Sequence, residues 1–321
     1  MKTIWLVLPC YNEEQVLPET ARQLREIMID LMQREKIAKD SKIAMVNDGS
    51  KDHTWEIIQK LHEQDGIYTG INLSRNRGHQ NALLAGLMTA KKYADAAISL
   101  DADLQDDVGV IEKFIDEFEK GNDIVYGVRS SRKTDTFFKR FTAEGFYHVM
   151  KTLGVDLVFN HADYRLMSKR AMDGLEEFEE VNLFLRGIVP QIGYHTAIVE
   201  YERHERFAGE SKYPLKKMLS FAFDGISSFS VKPMRMIIHA GALMFLISMA
   251  MLIYSLVRKF MGETIVGWTS LMVSIWMVGG IQLLCLGIIG EYIGKIYSET
   301  KKRPRYIIES ILYEETEQNE I

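Results

Sequence analysis

The chain has very few cysteines. Cys10 and Cys285 are the only two among 321 residues, and they lie far apart in the sequence. A disulfide framework and a cysteine-based zinc site are therefore not expected, and a reducing compartment is the default. The chain also lacks an excess of basic residues, since its formal net charge is -5. Proteins that bind nucleic acid usually carry a basic face, so no nucleic-acid partner is expected.

Charged residues are nearly absent from residues 236–293. Residues 236–257 carry no charge and would span ~33 Å as a helix. Residues 268–290 form a second such run, with Gln282 as its one strongly polar side chain. A buried helical hairpin in a soluble domain is the alternative, but soluble helices seldom run this long without a charge. The two runs therefore predict a transmembrane hairpin within residues 236–293.

Basic residues flank the predicted hairpin on both outer sides, whereas the connecting loop holds only Arg258 and Lys259 as basic residues. By the positive-inside rule, we expect a plasma-membrane protein whose large N-terminal domain and both termini are cytoplasmic. Residues 213–235 interleave bulky apolar side chains with lysines, which is typical of short helices along a membrane surface, an ordinary linker helix being the alternative. The expected division is residues 1–212 for a folded domain, 213–235 for juxtamembrane helices, 236–293 for the hairpin and 294–321 for a tail.

Short apolar runs alternate with amphipathic stretches over residues 1–212. Strands are predicted in "TIWLVLPC", "KIAMVNDGS", "TGINLS", "DAAISLD" and "DIVYGVR", with helices between them. This alternation predicts an α/β fold with a mostly parallel sheet covered on both faces. Ligands of such sheets bind at the carboxyl ends of the strands. Polar residues collect at those ends: Asn12, Glu13, Asn47, Asp48, Arg75, Asn76, Asp101, Asp103 and Arg129.

Four carboxylates crowd into the stretch "LDADLQDD" at the end of the fourth predicted strand. Asp101 and Asp103 suit a hard divalent cation, because such ions prefer oxygen ligands. An EF-hand is excluded, since Asp106 stands where that loop needs glycine and a strand leads into it. Capping of the next helix explains Asp106 or Asp107, but it leaves the first two aspartates unexplained.

The motifs "LPCYNEE", "VNDGSKDHT", "LSRNRGHQNALLAG" and "LDADLQDD" follow four predicted strands in order. This order resembles the nucleotide-sugar half of inverting family 2 glycosyltransferases, which have a GT-A fold. "HADYRLMSKR", "RHERFAGESKYPL" and the two apolar spans narrow the resemblance to the polyprenyl-phosphate glycosyltransferases. The chain looks like the bactoprenol glucosyltransferases and is similar to the dolichyl-phosphate mannose synthases. The resemblance implies a Rossmann-like GT-A domain followed by a two-helix transmembrane hairpin.

The resemblance also implies roles for individual residues. Asp101 and Asp103 would hold Mg²⁺ or Mn²⁺ against the diphosphate of the donor. Asp163 matches the position that the family treats as catalytic. The nucleotide sugar would be bound by Pro9, Tyr11, Asn12, Glu13, Asp48, Gly78, His79 and Asp101. For "NDGS" a plain turn is the alternative. The acceptor phosphate would be bound by Arg129, Arg140, Arg206, Ser211 and Lys212.

A phosphate acceptor changes what Asp163 has to do. The second pKa of a phosphate monoester is about 6, so at neutral pH the attacking oxygen is already an anion. We therefore expect Asp163 to orient substrate groups instead of removing a proton.

The resemblance implies inverting, metal-dependent transfer of one sugar from a nucleotide sugar to undecaprenyl phosphate or a related polyprenyl phosphate. The transfer would occur at the cytoplasmic membrane face and serve the modification of cell-envelope glycans. UDP-glucose is the first choice of donor, with UDP-GlcNAc and GDP-mannose as alternatives. A catalytically silent, nucleotide-binding membrane scaffold is the second hypothesis. Small residues leave self-association of the hairpin open: Gly279, Gly280, Gly287 and Gly290.

Overall fold

The computed structural model of the protein describes residues 1–129, 161–181, 183–202, 232–261 and 267–313. The chain divides into two compact units. One unit comprises Met1–Tyr147, Leu157–Tyr213 and Arg303–Ile321, and the other comprises His148–Asp156 and Pro214–Lys302. Most of the predicted juxtamembrane segment lies outside the described residues.

The first unit is built on an eight-stranded sheet with the order β7-β5-β6-β4-β1-β2-β3-β8. The strands are β1 (Ile4–Cys10), β2 (Lys42–Asn47), β3 (Tyr68–Leu73), β4 (Ala96–Ser99), β5 (Ile124–Arg129), β6 (His161–Ser168), β7 (Thr196–Tyr201) and β8 (Ile308–Leu312). Strand β1 pairs in parallel with β2 and β4, β2 with β3, and β5 with β7. Strand β6 is antiparallel to β4 and β5, and β8 is antiparallel to β3. The mostly parallel α/β sheet predicted from the sequence is confirmed.

Helices cover the sheet. They are α1 (Leu17–Gln33), α2 (Thr54–Gln64), α3 (His79–Ala90), α4 (Ile111–Glu119), α5 (Lys169–Glu176) and the short α6 (Leu185–Ile188). Every residue of β1 and β2 is buried, as expected for continuous apolar runs that are covered on both faces. Helix α3 has almost no polar face, and its Gly86 lies directly against Val7 and Val46 of those strands. The core therefore lies around β1, β2 and β4. These strands are parallel, so their carboxyl ends lie at the same edge of the sheet, where the site is predicted.

Three strands of the sheet are not predicted from the sequence. Strand β6 is inserted antiparallel between β4 and β5, and β7 forms one edge of the sheet with alternately exposed and buried residues. Residues 294–321 are expected to form a tail, and no strand is predicted there. The structure instead continues α8 to Thr300 and places β8 at the other edge of the sheet, so β8 belongs to the first unit.

The second unit contains two long helices, α7 (Lys232–Phe260) and α8 (Trp268–Thr300). Both predicted spans, residues 236–257 and 268–290, lie within them. Among the described residues, Met277–Thr300 is the segment that is long and apolar enough to cross a membrane. Large apolar side chains on the two helices are exposed, including Leu246, Ile253, Leu283 and Leu286. Exposed apolar surface of this kind marks contact with a membrane or a partner.

Gly86→Ala is expected to destabilise the first unit, although alanine favours helices. A Cβ on Gly86 would lie 2.3 Å from Val7 Cγ1 and 2.8 Å from Val46 Cγ2. Severe overpacking costs about 3 kcal/mol, against a helix-propensity gain of about 1 kcal/mol. The control is Gly174→Ala in α5, where the nearest atom, Ile192 Cγ2, would lie 3.1 Å away. Thermal unfolding should show a clearly lower midpoint for Gly86→Ala, and equal midpoints for the two variants would contradict the close packing.

Candidate active site at the carboxyl end of the sheet

The acidic stretch of the sequence lies just after β4. The segment that carries Asp101 and Asp103 is tied to α1, because the carbonyl of Ala102 accepts a hydrogen bond from Thr20 Oγ1 at 2.7 Å. Leu104 has a left-handed backbone with a φ of 56°. This conformation costs a residue other than glycine about 1–2 kcal/mol. Backbone strain of this kind clusters at functional sites.

The carboxylates of this stretch repel one another. Burial raises the pKa of Asp101, and the charges of Asp163 and Asp103 raise it further against the opposing effect of His79. Burial and the charge of Asp101 also raise the pKa of Asp106 to about 6, although Tyr201 donates a hydrogen bond to it at 2.6 Å. Among the described residues, Oδ2 of Asp106 is buried without a hydrogen-bond partner. The cations around this stretch therefore balance its negative charge only in part.

Strand β6 brings Asp163 to the same place. Ser99 of β4 pairs with Arg165 of β6, and the strands are antiparallel, so continuing the register by two residues brings Asp163 opposite Asp101. The hydroxyl of Ser99 donates a hydrogen bond to the carbonyl of Asp163 and lies 3.3 Å from the carbonyl oxygen of Arg165. Because side chains alternate along a strand, Asp163 and Arg165 project from the same face.

Two arginines and a histidine surround the carboxylate of Asp163. Arg165 Nη2 donates to Oδ1 at 2.6 Å, and Arg186 donates from Nε at 3.3 Å and from Nη2 at 3.1 Å. His79 Nε2 lies 3.7 Å from Oδ2. Burial raises the pKa of Asp163, but the charges of Arg186, His79 and Arg165 outweigh burial and hold the pKa well below its usual value. Asp163 is therefore an anion at neutral pH and a weak base.

His79 links the two acidic positions. Its Nε2 lies 3.6 Å from Asp101 Oδ1 and 3.7 Å from Asp163 Oδ2, so one ring nitrogen faces both carboxylates. Burial lowers the pKa of His79, but the contact with Asp163 and the charge of Asp101 together raise it to about 9. The imidazole is thus a cation at neutral pH. Gly78, just before α3, has a φ of 87°, a conformation that glycine adopts without strain.

Short polar side chains join the loops that follow β1 and β2. The amide of Asn12 donates to Ser50 Oγ at 3.1 Å, and Asn12 Oδ1 accepts from the amide of Lys51 at 2.9 Å. The amide of Glu13 donates to Thr54 Oγ1 at 2.9 Å. The loops predicted to form the nucleotide pocket therefore lie side by side.

Asp48, predicted to contact the base or ribose, is buried and holds the loop before α3. Its two carboxylate oxygens accept hydrogen bonds from the amides of Arg77 at 2.6 Å and Gly78 at 2.9 Å. Burial raises the pKa of Asp48 against these two bonds. The close approach also requires Gly49, where a Cβ would lie 2.5 Å from the amide nitrogen of Asn76. Contact of Asp48 with a nucleotide stays a prediction.

The other predicted residues lie in different surroundings. Pro9 is buried within β1, and Tyr11 is 37% exposed after it. Arg129 ends β5, where its Nε donates to the hydroxyl of Tyr201 at 3.3 Å and its Nη2 lies 3.9 Å from Asp106 Oδ1. Asp107 caps the turn before α4 by accepting from an amide. Four predicted acceptor-binding residues lie outside the described residues: Arg140, Arg206, Ser211 and Lys212.

A divalent cation fits the acidic stretch. Within the described ranges, no three His, Cys, Asp or Glu side chains form a group able to hold a metal ion. Mg²⁺ needs only one or two carboxylates when substrate phosphates and waters complete its coordination. Asp101 and Asp103 offer such oxygens. The raised pKa of Asp101 and the unpartnered oxygen of Asp106 show negative charge that a cation would balance.

Neither of the two arginines that contact Asp163 is predicted from the sequence. Arg165 follows Asp163 by two residues, and the alternation of a strand would have placed both on one face. Arg186 lies 23 residues beyond Asp163, and no local pattern connects them. Its helix is joined to α3 where the amide of Leu185 donates to Gln80 Oε1 at 2.8 Å.

Comparison with known proteins gives two family matches. Residues 5–175 match the family described as "Glycosyl transferase family 2", and residues 232–296 match the family described as "GtrB C-terminal hairpin". The chain is 56% identical to "Uncharacterized glycosyltransferase YkoT" of Bacillus subtilis (strain 168), over 97% of this chain and 92% of that protein. It is 40% identical to "Bactoprenol glucosyl transferase" of Shigella phage SfV, over 96% of this chain and 98% of that protein.

Among solved structures, mannosyl-3-phosphoglycerate synthase from Rubrobacter xylanophilus is similar with a TM-score of 0.46 and 15% identity, over 70% of this chain and 71% of that chain. A similarity of this size says nothing about activity or ligands.

Asp163→Asn is expected to lower the thermal unfolding temperature. The variant leaves the guanidinium of Arg165, which is 1% exposed, without its nearest anion. Breaking a buried ion pair costs about 3–5 kcal/mol, and the amide oxygen of Asn recovers part of this. The control is Asp173→Asn, which removes a 3.1 Å pair with Lys91 at a side chain that is 55% exposed and should change little. Scanning fluorimetry in detergent compares the two, and shifts of equal size would contradict a buried pair at Asp163.

Proposed function

The chain belongs to glycosyl transferase family 2, and from this membership we propose that it transfers one glucose from a nucleotide sugar to a polyprenyl phosphate. Relatives named bactoprenol glucosyl transferase are about 40% identical to it over nearly the whole chain, which supports glucose and a bactoprenol-type acceptor. UDP-glucose is the proposed donor.

The observation that carries the proposal is the ionised Asp163 beside the acidic stretch that follows β4. His79 Nε2 lies 3.6 Å from Asp101 and 3.7 Å from Asp163, and Arg186 of α6 lies 3.1 Å from Asp163. Acidic and cationic groups thus meet at one point of the sheet. A site of this kind suits a reaction in which an anionic donor and an anionic acceptor must be brought together.

The donor diphosphate is the group that a cation would accompany. Asp101 and Asp103 would hold Mg²⁺ or Mn²⁺, which when bound neutralises negative charge on the diphosphate. The amides and side chains of the loops after β1 and β2 would bind the nucleoside. Tyr11, being partly exposed, offers a ring face for stacking.

In the proposed reaction, an oxygen of the lipid phosphate attacks the anomeric carbon of glucose on the face opposite the diphosphate. The bond between the anomeric carbon and the diphosphate oxygen breaks, so the configuration inverts and the nucleoside diphosphate leaves. No base has to act at neutral pH, because the second pKa of a phosphate monoester is about 6. Asp163 is fixed by Arg165 and Arg186 and orients substrate hydroxyl groups or neighbouring cations.

The hairpin would bring this reaction to the cytoplasmic face of the membrane. The match of residues 232–296 to the GtrB C-terminal hairpin and the apolar segment Met277–Thr300 support membrane association. We propose that both helices span the bilayer with the two chain ends in the cytoplasm. Arg129 and the basic residues outside the described ranges would bind the acceptor phosphate.

A transfer assay tests the proposed function. Purified protein in nanodiscs is given undecaprenyl phosphate, a divalent cation and one of several donors: UDP-glucose, UDP-GlcNAc or GDP-mannose. Glucose-labelled lipid should form from UDP-glucose, and Asp103→Ala should abolish it because the donor diphosphate loses a proposed ligand of its cation. Product formed only from UDP-GlcNAc or only from GDP-mannose would show that the transferred sugar is not glucose. Nucleotide binding without product from any donor would favour a silent binding protein.

The pH profile tests the proposed role of Asp163. Its pKa is held well below the usual value, so the carboxylate stays ionised through the neutral range. Asp163 should therefore not make the transfer rate depend on pH in that range. Between about pH 7 and pH 8 the acceptor phosphate is also ionised, and His79 is still a cation because its pKa is raised to about 9, so the wild-type rate should be flat there. Asp163→Asn should keep a lower but measurable rate with the same flat profile, assayed below its unfolding temperature. Complete loss of turnover with normal nucleotide binding would contradict an orienting role.

A further inference from the structure

A chain of side-chain hydrogen bonds crosses the carboxyl ends of neighbouring strands, and we call it the amide relay. Asn72 of β3 donates from Nδ2 to Glu309 Oε2 at 3.1 Å and accepts at Oδ1 from Asn47 Nδ2 at 2.8 Å. Asn47 Oδ1 then accepts from the amide of Ser50 at 3.2 Å, and Ser50 Oγ accepts from the amide of Asn12 at 3.1 Å. The amide relay therefore runs from β8 through β3 and β2 to the loop after β1.

Glu309 gives the amide relay its direction. A carboxylate only accepts hydrogen bonds, so Asn72 turns its NH₂ group toward Glu309 and its carbonyl oxygen toward Asn47. Asn47 must then donate to Asn72, and its own carbonyl oxygen is left facing the amide of Ser50. Without Glu309, Asn72 is free to turn its amide group around, and two NH₂ groups would then face each other. Asn47 is 3% exposed, so water cannot easily replace a lost partner.

Strand β8 is anchored firmly enough to hold Glu309 in place. At one end, the amide of Ser74 donates to the carbonyl of Ile307 at 3.0 Å. At the other end, the ring of Tyr313 lies 4.4 Å from that of Tyr93 and 5.8 Å from that of Trp5, centroid to centroid. Residues 301–307 connect this strand directly to the end of α8.

The far end of the amide relay lies in the proposed donor pocket. Asn12 has a left-handed backbone with a φ of 55°, and its amide and side chain both bind the loop after β2. The position of Asn12 therefore depends on the positions of Ser50 and Lys51. The amide relay holds Ser50 through the hydrogen bond from its amide to Asn47 Oδ1.

We propose that Glu309 is a positioning residue for the donor nucleotide, acting through Asn72 and Asn47 on the loop that holds Asn12. This inference rests on the proposed function in that it takes the loops after β1 and β2 as the nucleotide pocket. In this proposal, β8 contributes to donor binding in addition to forming one edge of the sheet.

The experiment measures nucleotide affinity and transfer kinetics of the intact protein in nanodiscs for Glu309→Ala and Glu309→Gln. The control is Ser310→Ala, which alters the next residue of β8 and leaves the amide relay intact. Glu309→Ala should weaken UDP binding and raise the KM for the donor by about fivefold, the factor that one ordinary hydrogen bond supplies. The KM for the lipid acceptor and the unfolding temperature should stay unchanged. Glu309→Gln should restore most of the affinity, because its carbonyl oxygen can accept from Asn72.

Unchanged UDP affinity in Glu309→Ala would overturn the inference. So would a fall in unfolding temperature with equal changes in both KM values, since that result indicates general loss of structure. If the wild type binds UDP but transfers no sugar, the proposed function fails while a weaker affinity of Glu309→Ala still upholds the inference. A wild type that binds neither UDP nor GDP overturns both.

Discussion

Negative charge concentrated just after β4 is the constraint on which the rest of the site depends. Asp101, Asp103 and Asp106 lie within six residues, and burial with mutual repulsion raises the pKa of Asp101 and Asp106. His79, Arg165 and Arg186 surround the neighbouring Asp163, and their positive charges hold its pKa well below the usual value. The acids after β4 keep an excess of negative charge, and this excess is what a cation with a donor diphosphate would balance.

The antiparallel insertion of β6 makes this arrangement possible. Its register with β4 brings Asp163 opposite Asp101, and the alternation of a strand places Arg165 on the same face. The five strands with continuous apolar runs are predictable from sequence because both of their faces are buried. Strands β6, β7 and β8 mix polar with apolar residues and are not predictable in the same way. Asp101 and Asp103 can be found as a local pattern, whereas Arg186 meets Asp163 only through the fold.

The two edges of the sheet contribute differently to the site. On one side, β5 and β7 carry Arg129 and Tyr201, which contact Asp106 near the acidic stretch. On the other side, β8 carries Glu309, which begins the amide relay toward the loops after β2 and β1. The outer strand β8 is thus linked by side-chain hydrogen bonds to the loops that form the proposed donor pocket. Residues 294–321 are expected to form a tail because they follow a long apolar segment, and only the pairing of β8 with β3 shows that Ile308–Leu312 belong to the sheet.

The measurement that tests the charge-balance account most directly is the linkage between cation and nucleotide binding. Isothermal titration of UDP into the intact protein in nanodiscs is compared with and without Mg²⁺ or Mn²⁺. The account predicts much tighter UDP binding in the presence of the cation, and it predicts that Asp103→Asn removes this difference while the protein stays folded. Equal affinity for UDP with and without the cation in the wild type would contradict it.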